Sequence, residues 1–242
     1  MLDARGYTNG VAVEWENGTW ATPLDAFQVS RRANGLALDP QPLKAWQVLG
    51  EVGRFWMIGG RRGAIRLIGG LSSMRQQRWE DRIAEFEGRG GNPFYWRHRI
   101  KYLAVVNAEQ ALAKSLGVFG RLARNDGHTE NWMFTQIDRS ASAGLSLKGR
   151  SWSRPLDTVG LAGHVGWLSP GQRRFPEAGG TGFITGDSRL RYRPETVLEV
   201  YYSATVGSGV NLTADYQLVA SPAYNADRGP ISVFTAVQRC GM

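Results

Sequence analysis

The chain has 242 residues, with 29 Lys and Arg against 21 Asp and Glu, and a formal net charge of +8 at pH 7. Arginine outnumbers lysine 25 to 4. Because guanidinium groups bind anions in a planar, bidentate way and stack on rings, this excess fits an anionic partner or a lumen that holds polar ligands. The single cysteine, Cys240, excludes an internal disulfide bond and a cysteine-cluster metal site.

The sequence predicts neither a signal peptide nor a transmembrane helix. The first residues, Met1 to Arg5, do not form a basic segment followed by an apolar one. A transmembrane helix needs a run of about 18 apolar residues, and the chain has none. A membrane β-barrel is still compatible with this composition, since its strands are apolar on only one side.

Alternation of apolar and polar residues predicts about eleven strands, because successive side chains of a strand point to opposite faces. The predicted strands span residues 7–16, 19–29, 46–58, 64–74, 97–111, 116–124, 134–147, 158–168, 195–206, 210–220 and 231–238. Asn17-Gly18 predicts a tight hairpin turn. Residues 75–88 place Trp79, Ile83 and Phe86 at helical spacing, which predicts one short helix within a loop.

The predicted connections alternate strictly in length. Short turns fall at residues 17–18, 59–63, 114–115, 149–155 and 207–209, and long loops at 30–44, 75–97, 125–133, 169–194 and 221–230. Outer-membrane barrels have short turns at one rim and long loops at the other. A soluble sandwich has little reason to sort its connections in this way, so the pattern favours a transmembrane barrel.

The hairpin at residues 195–220 shows the alternation most clearly. A turn centred on Ser208 pairs Glu199 with Gln217 and Tyr201 with Asp215, and it places the apolar residues of both arms on one face. Alternation alone does not decide which face is inside, because a soluble sandwich buries its apolar face and a membrane barrel exposes it to lipid. Each arm has 11 or 12 residues, close to the ~9–11 of a tilted membrane strand.

Several runs of residues resemble the carbohydrate-selective porin family of Gram-negative outer membranes. They are Gly117-Val118-Phe119, the sequence NDGHTE at 125–130, Asp138-Arg139-Ser140, RYRPETVLEVYY at 191–202 and PAYNADRGP at 222–230. The similarity extends from about Gly6 to about Val237. It implies a sixteen-stranded outer-membrane barrel, in contact with lipid, through which mono- or oligosaccharides diffuse. The chain resembles only the C-terminal portion of such a porin and is expected to be a fragment of one.

The predicted fold class is therefore all-β: an antiparallel, up-and-down transmembrane β-barrel domain over residues 1–242, formed from about 10–12 strands of a larger barrel. Polar strand faces then line the lumen. The predicted sugar-binding lumen residues are Arg99, Lys101, Asn107, Glu109, Arg121, Arg139, Glu195, Glu199, Tyr201, Asp215 and Gln217.

Enzymatic, metal and nucleotide functions have little support in the sequence. Glu195 and Glu199 would lie about 13 Å apart on one strand, beyond the ~5–10 Å between glycosidase carboxylates. The three histidines lack ligand spacing, and no nucleotide motif is present. We expect no enzyme, cofactor or nucleic-acid partner. The alternative function is a soluble basic β protein that binds polyanions or nucleic acid.

Overall fold

The computed structural model describes residues 8–33, 35–90, 97–131, 136–186, 188–207 and 209–240. The described residues form twelve strands: β1 (Gly10–Val13), β2 (Trp20–Ala21), β3 (Leu24–Gln28), β4 (Trp46–Ile58), β5 (Arg61–Gln76), β6 (Arg97–Ala111), β7 (Leu116–Asn125), β8 (Arg139–Gly149), β9 (Arg154–Trp167), β10 (Glu195–Thr205), β11 (Val210–Ala220) and β12 (Ile231–Cys240). Two short helices, α1 (Trp79–Phe86) and α2 (Pro170–Glu177), lie in the loops before β6 and β10.

All twelve strands belong to one antiparallel sheet in the order β1-β3-β4 and onward to β12, with β2 paired to β4. Each strand after β3 pairs with its neighbours in sequence, which confirms the predicted up-and-down class. Among the described residues, β1 and β12 each have one neighbouring strand, so the sheet is open at these two edges. No helix in the described ranges is long and apolar enough to cross a membrane.

The connections are sorted by length as predicted. Short connections join β4 to β5, β6 to β7, β8 to β9 and β10 to β11, and the longer ones all fall at the opposite rim. Gly59 and Gly60 link β4 to β5 with φ angles of 55° and 72°. A two-residue turn with both φ angles positive matches the twist of the strands, and only glycine adopts it without strain.

The predicted register of the β10–β11 hairpin is confirmed. Glu199 lies opposite Gln217, and Tyr201 lies opposite Asp215. The Asn17-Gly18 turn is also present, because the Asn17 side chain accepts the N–H groups of Thr19 at 3.0 Å and Trp20 at 2.8 Å. The arms beside that turn are shorter than predicted.

Two predicted strands and one predicted turn include residues outside the described ranges, namely residue 7, residues 134–135 and Ser208. Four of the predicted long loops also include such residues, at 34, 91–96, 132–133 and 187. The strand predicted at 134–147 begins at Arg139 within the described part. The arm predicted at 19–29 is divided into β2 and β3. Pro23 lies between these two strands and has no N–H group for a ladder hydrogen bond.

Helix α2 lies within residues 169–194, which the sequence predicts to be a loop. Its N-cap residue Ser169 accepts the N–H group of Gln172 at 3.3 Å, and Pro170 follows as the first helical residue, which is a common helix start. Trp79 and Ile83 of α1 pack with Phe175 of α2, and the Trp79 and Phe175 ring centroids are 5.3 Å apart. This buried cluster joins the two helices at the long-loop rim.

A buried carboxylate fixes the loop between β3 and β4 to the rim. The Asp39 carboxylate accepts hydrogen bonds from Arg75 Nε at 2.6 Å and from the Gln41 N–H group at 2.9 Å, and it lies 3.2 Å from His98 Nε2. Burial alone would raise the pKa of Asp39, but its bonds with Arg75, Gln41 and His98 outweigh burial and hold the pKa below its ordinary value.

A glycine in β9 makes room for an aromatic ring of β10. Gly160 lies opposite Tyr201, and a Cβ atom at Gly160 would clash with the Tyr201 ring. A Cβ atom at Gly163, three residues further along β9, would have no atom within 4 Å. The two glycines therefore differ in packing although they share a strand.

We expect Gly160→Ala to lower the free energy of unfolding by about 1–3 kcal/mol, because the added methyl group overpacks against Tyr201. Gly163→Ala is the matched control, and we expect it to be neutral or stabilising by up to about 1 kcal/mol. Urea titration of the chain in detergent micelles, followed by tryptophan fluorescence, measures both. Equal destabilisation by the two substitutions would contradict this packing.

We expect Asp39→Asn to destabilise the chain by about 1.5–3 kcal/mol at pH 7, since hydrogen bonds to a charged group are lost. A lowered pKa contributes stability above the unfolded value of about 3.9, and this contribution disappears as the pH falls through the folded pKa. The difference between Asp39→Asn and the wild type should therefore shrink below about pH 4.

The matched control for this prediction is Asp227→Asn, which removes an exposed carboxylate paired with Arg191. Exposed pairs contribute about 0–1 kcal/mol, so its unfolding curve should follow that of the wild type. A constant Asp39→Asn deficit from pH 7 to pH 2.5 would show that ionisation of Asp39 does not stabilise the loop.

Candidate pore-lining face

The strand register divides the sheet into two faces, because residues directly opposite each other on neighbouring strands share a face. We call the face that holds Asn107 and Glu199 the polar face. The apolar face holds Leu67 and Val200. The pairings from β5 to β11 keep each set together across the sheet.

The apolar face is the more exposed one. Leu67 is 51% exposed, Ile100 56%, Leu122 59% and Leu198 49%. On the polar face, by contrast, the Lys101 side chain is only 12% exposed. A soluble β protein shows the reverse arrangement, with its apolar residues inside. The exposed outside of this sheet is therefore covered by large apolar side chains.

Carboxylates of β10 and β11 form an acidic part of the polar face. Gln217 Nε2 donates to Glu199 Oε2 at 3.1 Å and to Asp215 Oδ1 at 3.2 Å. The Tyr201 ring lies beside this group, over Gly160. An amide that bridges two carboxylates leaves further oxygen lone pairs free to accept hydroxyl groups.

A basic part of the polar face lies on β4 to β6. Arg66 Nη2 is 3.2 Å from Glu109, and its Nε atom is 3.7 Å from Glu51. The guanidinium groups of Arg62 and Arg66 lie 5.2 Å and 5.4 Å from the centroid of the Phe55 ring. Both arginines are thereby held over an aromatic surface by cation–π interactions.

A continuous polar row crosses five strands, from β5 to β9, on this face. Its members lie directly opposite one another and are Arg66, Asn107, Arg121, Ser142 and His164. Ser142 Oγ lies 3.2 Å from His164 Nδ1. Arg121 is exposed and forms no ion pair with any described residue, so its charge is available to a solute.

Three predicted lumen residues connect strands to rim loops. Arg99 Nη2 lies 2.8 Å from Asp81 of α1. Lys101 Nζ donates to the carbonyl oxygen of Thr129 at 3.1 Å and lies 3.4 Å from Asp126. Glu195 accepts the N–H group of Ala223 at 2.6 Å. These three side chains lie on the polar face, but their charged groups are already paired with or hydrogen-bonded to residues of the rim loops.

The structure differs from the sequence expectation at Arg139. This residue lies opposite Arg124, which lies opposite Ala104, and these positions belong to the apolar face. Serines occupy the polar face of β8 instead, and Arg139 is the first residue of that strand. A rim position allows its guanidinium group to reach solvent, whereas a position nearer the middle of the strand would not.

Four residues of the candidate site are not among the lumen residues that the sequence predicts. They are Arg66, Glu51, Ser142 and His164. The alternation within residues 46–58 and 64–74 contains the necessary signal, because it assigns Glu51 and Arg66 to the face opposite the apolar residues. Among the described residues, no group of three or more His, Cys, Asp and Glu side chains could hold a metal ion.

Comparisons with known proteins agree with this geometry. The chain matches the model of the carbohydrate-selective porin, OprB family, over residues 10–239. A high-pH structure of OprB from Pseudomonas putida is similar, with a TM-score of 0.73 and 18% sequence identity over 95% of this chain and 56% of that one. The chain thus spans little more than half of that porin. No curated protein sequence matches.

The structural likeness establishes that the twelve-stranded sheet has the fold of an OprB barrel wall. The family match extends over nearly all of the chain. Members of this family are channels of the Gram-negative outer membrane and not enzymes, which confirms the expected class and location. The chain therefore belongs to the OprB family of carbohydrate-selective porins.

Proposed function

We propose that this chain forms part of the wall of an outer-membrane channel through which mono- or oligosaccharides diffuse passively. The observation that carries the proposal is the inverted exposure of the sheet, in which large apolar side chains cover the outside. Such a surface is stable against lipid and costly in water. This argues against the alternative of a soluble polyanion-binding protein, which requires the apolar face to be buried.

The polar face supplies the groups that a sugar needs. Glu199 and Asp215 can accept hydroxyl groups, Arg121 can donate to them, and the Tyr201 ring can cover the apolar side of a pyranose. Passage requires that these contacts replace the water bound to the sugar without holding the sugar tightly. The other predicted lumen residues lie on the same face, where we propose that they support the sugar-contacting groups. They are Arg99, Lys101, Asn107, Glu109, Glu195 and Gln217.

We further propose that the chain is the C-terminal portion of a larger barrel domain. Strands β1 and β12 are open edges among the described residues. In lipid, each unpaired N–H or C=O group at such an edge costs several kcal/mol. Additional strands that pair with β1 and β12 would satisfy these groups, and the porin from Pseudomonas putida is longer than this chain. The channel needs no cofactor, because diffusion involves no bond chemistry.

Arg121 allows a test of the proposed lumen. We expect Arg121→Gln to lower the anion-to-cation permeability ratio about twofold and to weaken the block of current by sugars. An unpaired cation raises the local anion concentration where low-dielectric walls focus its field. Arg99 and Lys101 should have smaller effects, because Asp81 and Asp126 already neutralise them.

The measurement uses planar bilayers that contain a barrel in which this chain replaces the equivalent strands of Pseudomonas putida OprB. Reversal potentials in a salt gradient give the permeability ratio, and added glucose or maltose gives the block. Arg54→Gln is the matched control, because Arg54 is exposed and lies opposite Ile65 on the apolar face. If Arg54→Gln changes selectivity as much as Arg121→Gln does, the polar face does not line the channel.

A further inference from the structure

The sheet has a notch at its long-loop rim. The last pair between β6 and β7 is Leu103 with Asn125, but β6 continues back to Arg97, which pairs with Gln76 of β5. On the far side of β7, β8 begins only at Arg139. Strand β6 therefore extends about six residues beyond β7, which is about 20 Å.

Helices α1 and α2 and residues 126–129 border this notch and leave a cavity of about 850 Å³. That volume is in the range of ordinary ligand sites, which measure about 300–1,000 Å³. The cavity is separate from the Arg121 and Glu199 positions of the polar face, since neither residue lines it.

The cavity has an excess of positive charge. Its charged lining consists of Arg78, Arg99, Arg124, Arg139, Arg174, Glu80, Asp126 and Asp138. Arg99 and Asp126 are neutralised by other residues, whereas the four other arginines are exposed and form no ion pair with any residue of the described ranges. Arg124 and Arg139 lie directly opposite each other, and like charges in that arrangement repel. A bound anion would remove this repulsion.

Two helix N-termini meet the same cavity. The first residues of α1, including Trp79, and the first residues of α2, including Gly171, both line it. The helix dipole favours anions at such ends, although the Trp79 N–H group already donates to the carbonyl oxygen of His128 at 3.0 Å and Pro170 has no N–H group. Trp79 is 4% exposed, and its indole N–H group has no acceptor within the described part of the chain. It is a buried donor without a partner, on a residue that lines the cavity.

An inorganic anion alone would leave other groups of the cavity lining without a partner. Asp138 Oδ2 accepts the Ser169 N–H group at 2.7 Å, but the buried Oδ1 atom has no donor among the described residues. A hydroxyl group would satisfy Oδ1. Ile100 and Tyr102 also line the cavity and belong to the exposed apolar face, at 56% and 43% exposure. The cavity thus offers arginines for a phosphate group, Asp138 for a hydroxyl group and apolar side chains for a hydrocarbon chain.

We propose that the notch binds the phosphorylated sugar headgroup of a glycolipid in the outer leaflet of the membrane. The phosphate lies between Arg124 and Arg139, a sugar hydroxyl donates to Asp138, and the acyl chains follow Ile100 and Tyr102 down the apolar face. Long loops of outer-membrane barrels are extracellular, which places the notch at that leaflet. This proposal rests on the part of the proposed function that places the chain in the outer membrane with its long loops outside. It does not depend on the passage of sugars.

Native mass spectrometry of the full chain in tetraethylene glycol monooctyl ether, titrated with lipid A, tests this site. We expect Arg124→Gln/Arg139→Gln to weaken lipid A binding at least tenfold, because two charge-assisted bonds to phosphate are lost. The matched control is Arg189→Gln/Arg193→Gln, which removes the same charge from exposed loop positions outside the cavity. It should change affinity less than twofold. Circular dichroism checks that each variant retains its strands.

Arg78→Gln/Arg174→Gln is a second pair on the cavity wall, and it should also weaken lipid A binding. It replaces the first test if Arg124→Gln/Arg139→Gln fails to fold. Phosphatidylcholine and inorganic phosphate serve as the other two probes. We expect phosphatidylcholine to bind at least tenfold more weakly than lipid A, and inorganic phosphate to compete only at millimolar concentration. Binding of phosphate as tight as that of lipid A would overturn the glycolipid assignment, and equal losses in the notch and control pairs would overturn the site.

Discussion

Backbone hydrogen bonding is the constraint on which this structure depends. A strand in hydrocarbon must pair all of its N–H and C=O groups with neighbouring strands, because no water is present to replace them. The ladder from β4 to β12 satisfies this requirement with long antiparallel pairings between sequence neighbours. Those pairings then fix the register, and the register decides which side chains share a face. The separation into polar and apolar faces follows from the ladder.

Several cations of the polar face are compensated by carboxylates within the protein. Arg66 lies between Glu51 and Glu109, and Lys101 is held by Asp126. Compensated pairs keep the wall rigid and reduce the cost of placing ions near a low-dielectric barrel. Arg121 differs from these cations, because no described carboxylate pairs with it, and Arg62, which also has no described ion pair, lies over the Phe55 ring instead. The proposed passage of neutral sugars needs such sparse, weak contacts more than it needs a tight site.

Much of the fold could be predicted from the sequence, because period-two alternation is strong in the long strands. The bounds of β4 and β6 agree with the prediction to the residue, and the β10–β11 register follows from a turn only three residues long. Helix α2 was missed because a glycine-rich and arginine-rich segment obscured its Ser169-Pro170 start. The helix begins there because a side-chain cap and a proline both favour that position.

The candidate site was less predictable, since its contacts join residues far apart in sequence. The Arg66–Glu109 pair connects positions 43 residues apart, and only the strand order brings them together. Arg139 shares the face of Ala141, Leu145 and Leu147, because side chains two residues apart on a strand lie on the same face, and the weak alternation of this segment hides that pattern in the sequence. Which face is outermost also depends on the assembled sheet, since alternation looks the same in a sandwich and in a barrel.

A nitroxide scan along residues 197–202 of β10 tests whether the apolar face of the sheet meets lipid. The chain is placed in a completed barrel in lipid bilayers, and the collision rates of each label with oxygen and with a water-soluble nickel chelate are compared. We expect collision rates with a period of two residues, with labels at Leu198, Val200 and Tyr202 favouring oxygen and labels at Val197, Glu199 and Tyr201 favouring the nickel chelate. Equal nickel accessibility at both sets of positions would contradict the assignment of the apolar face to lipid.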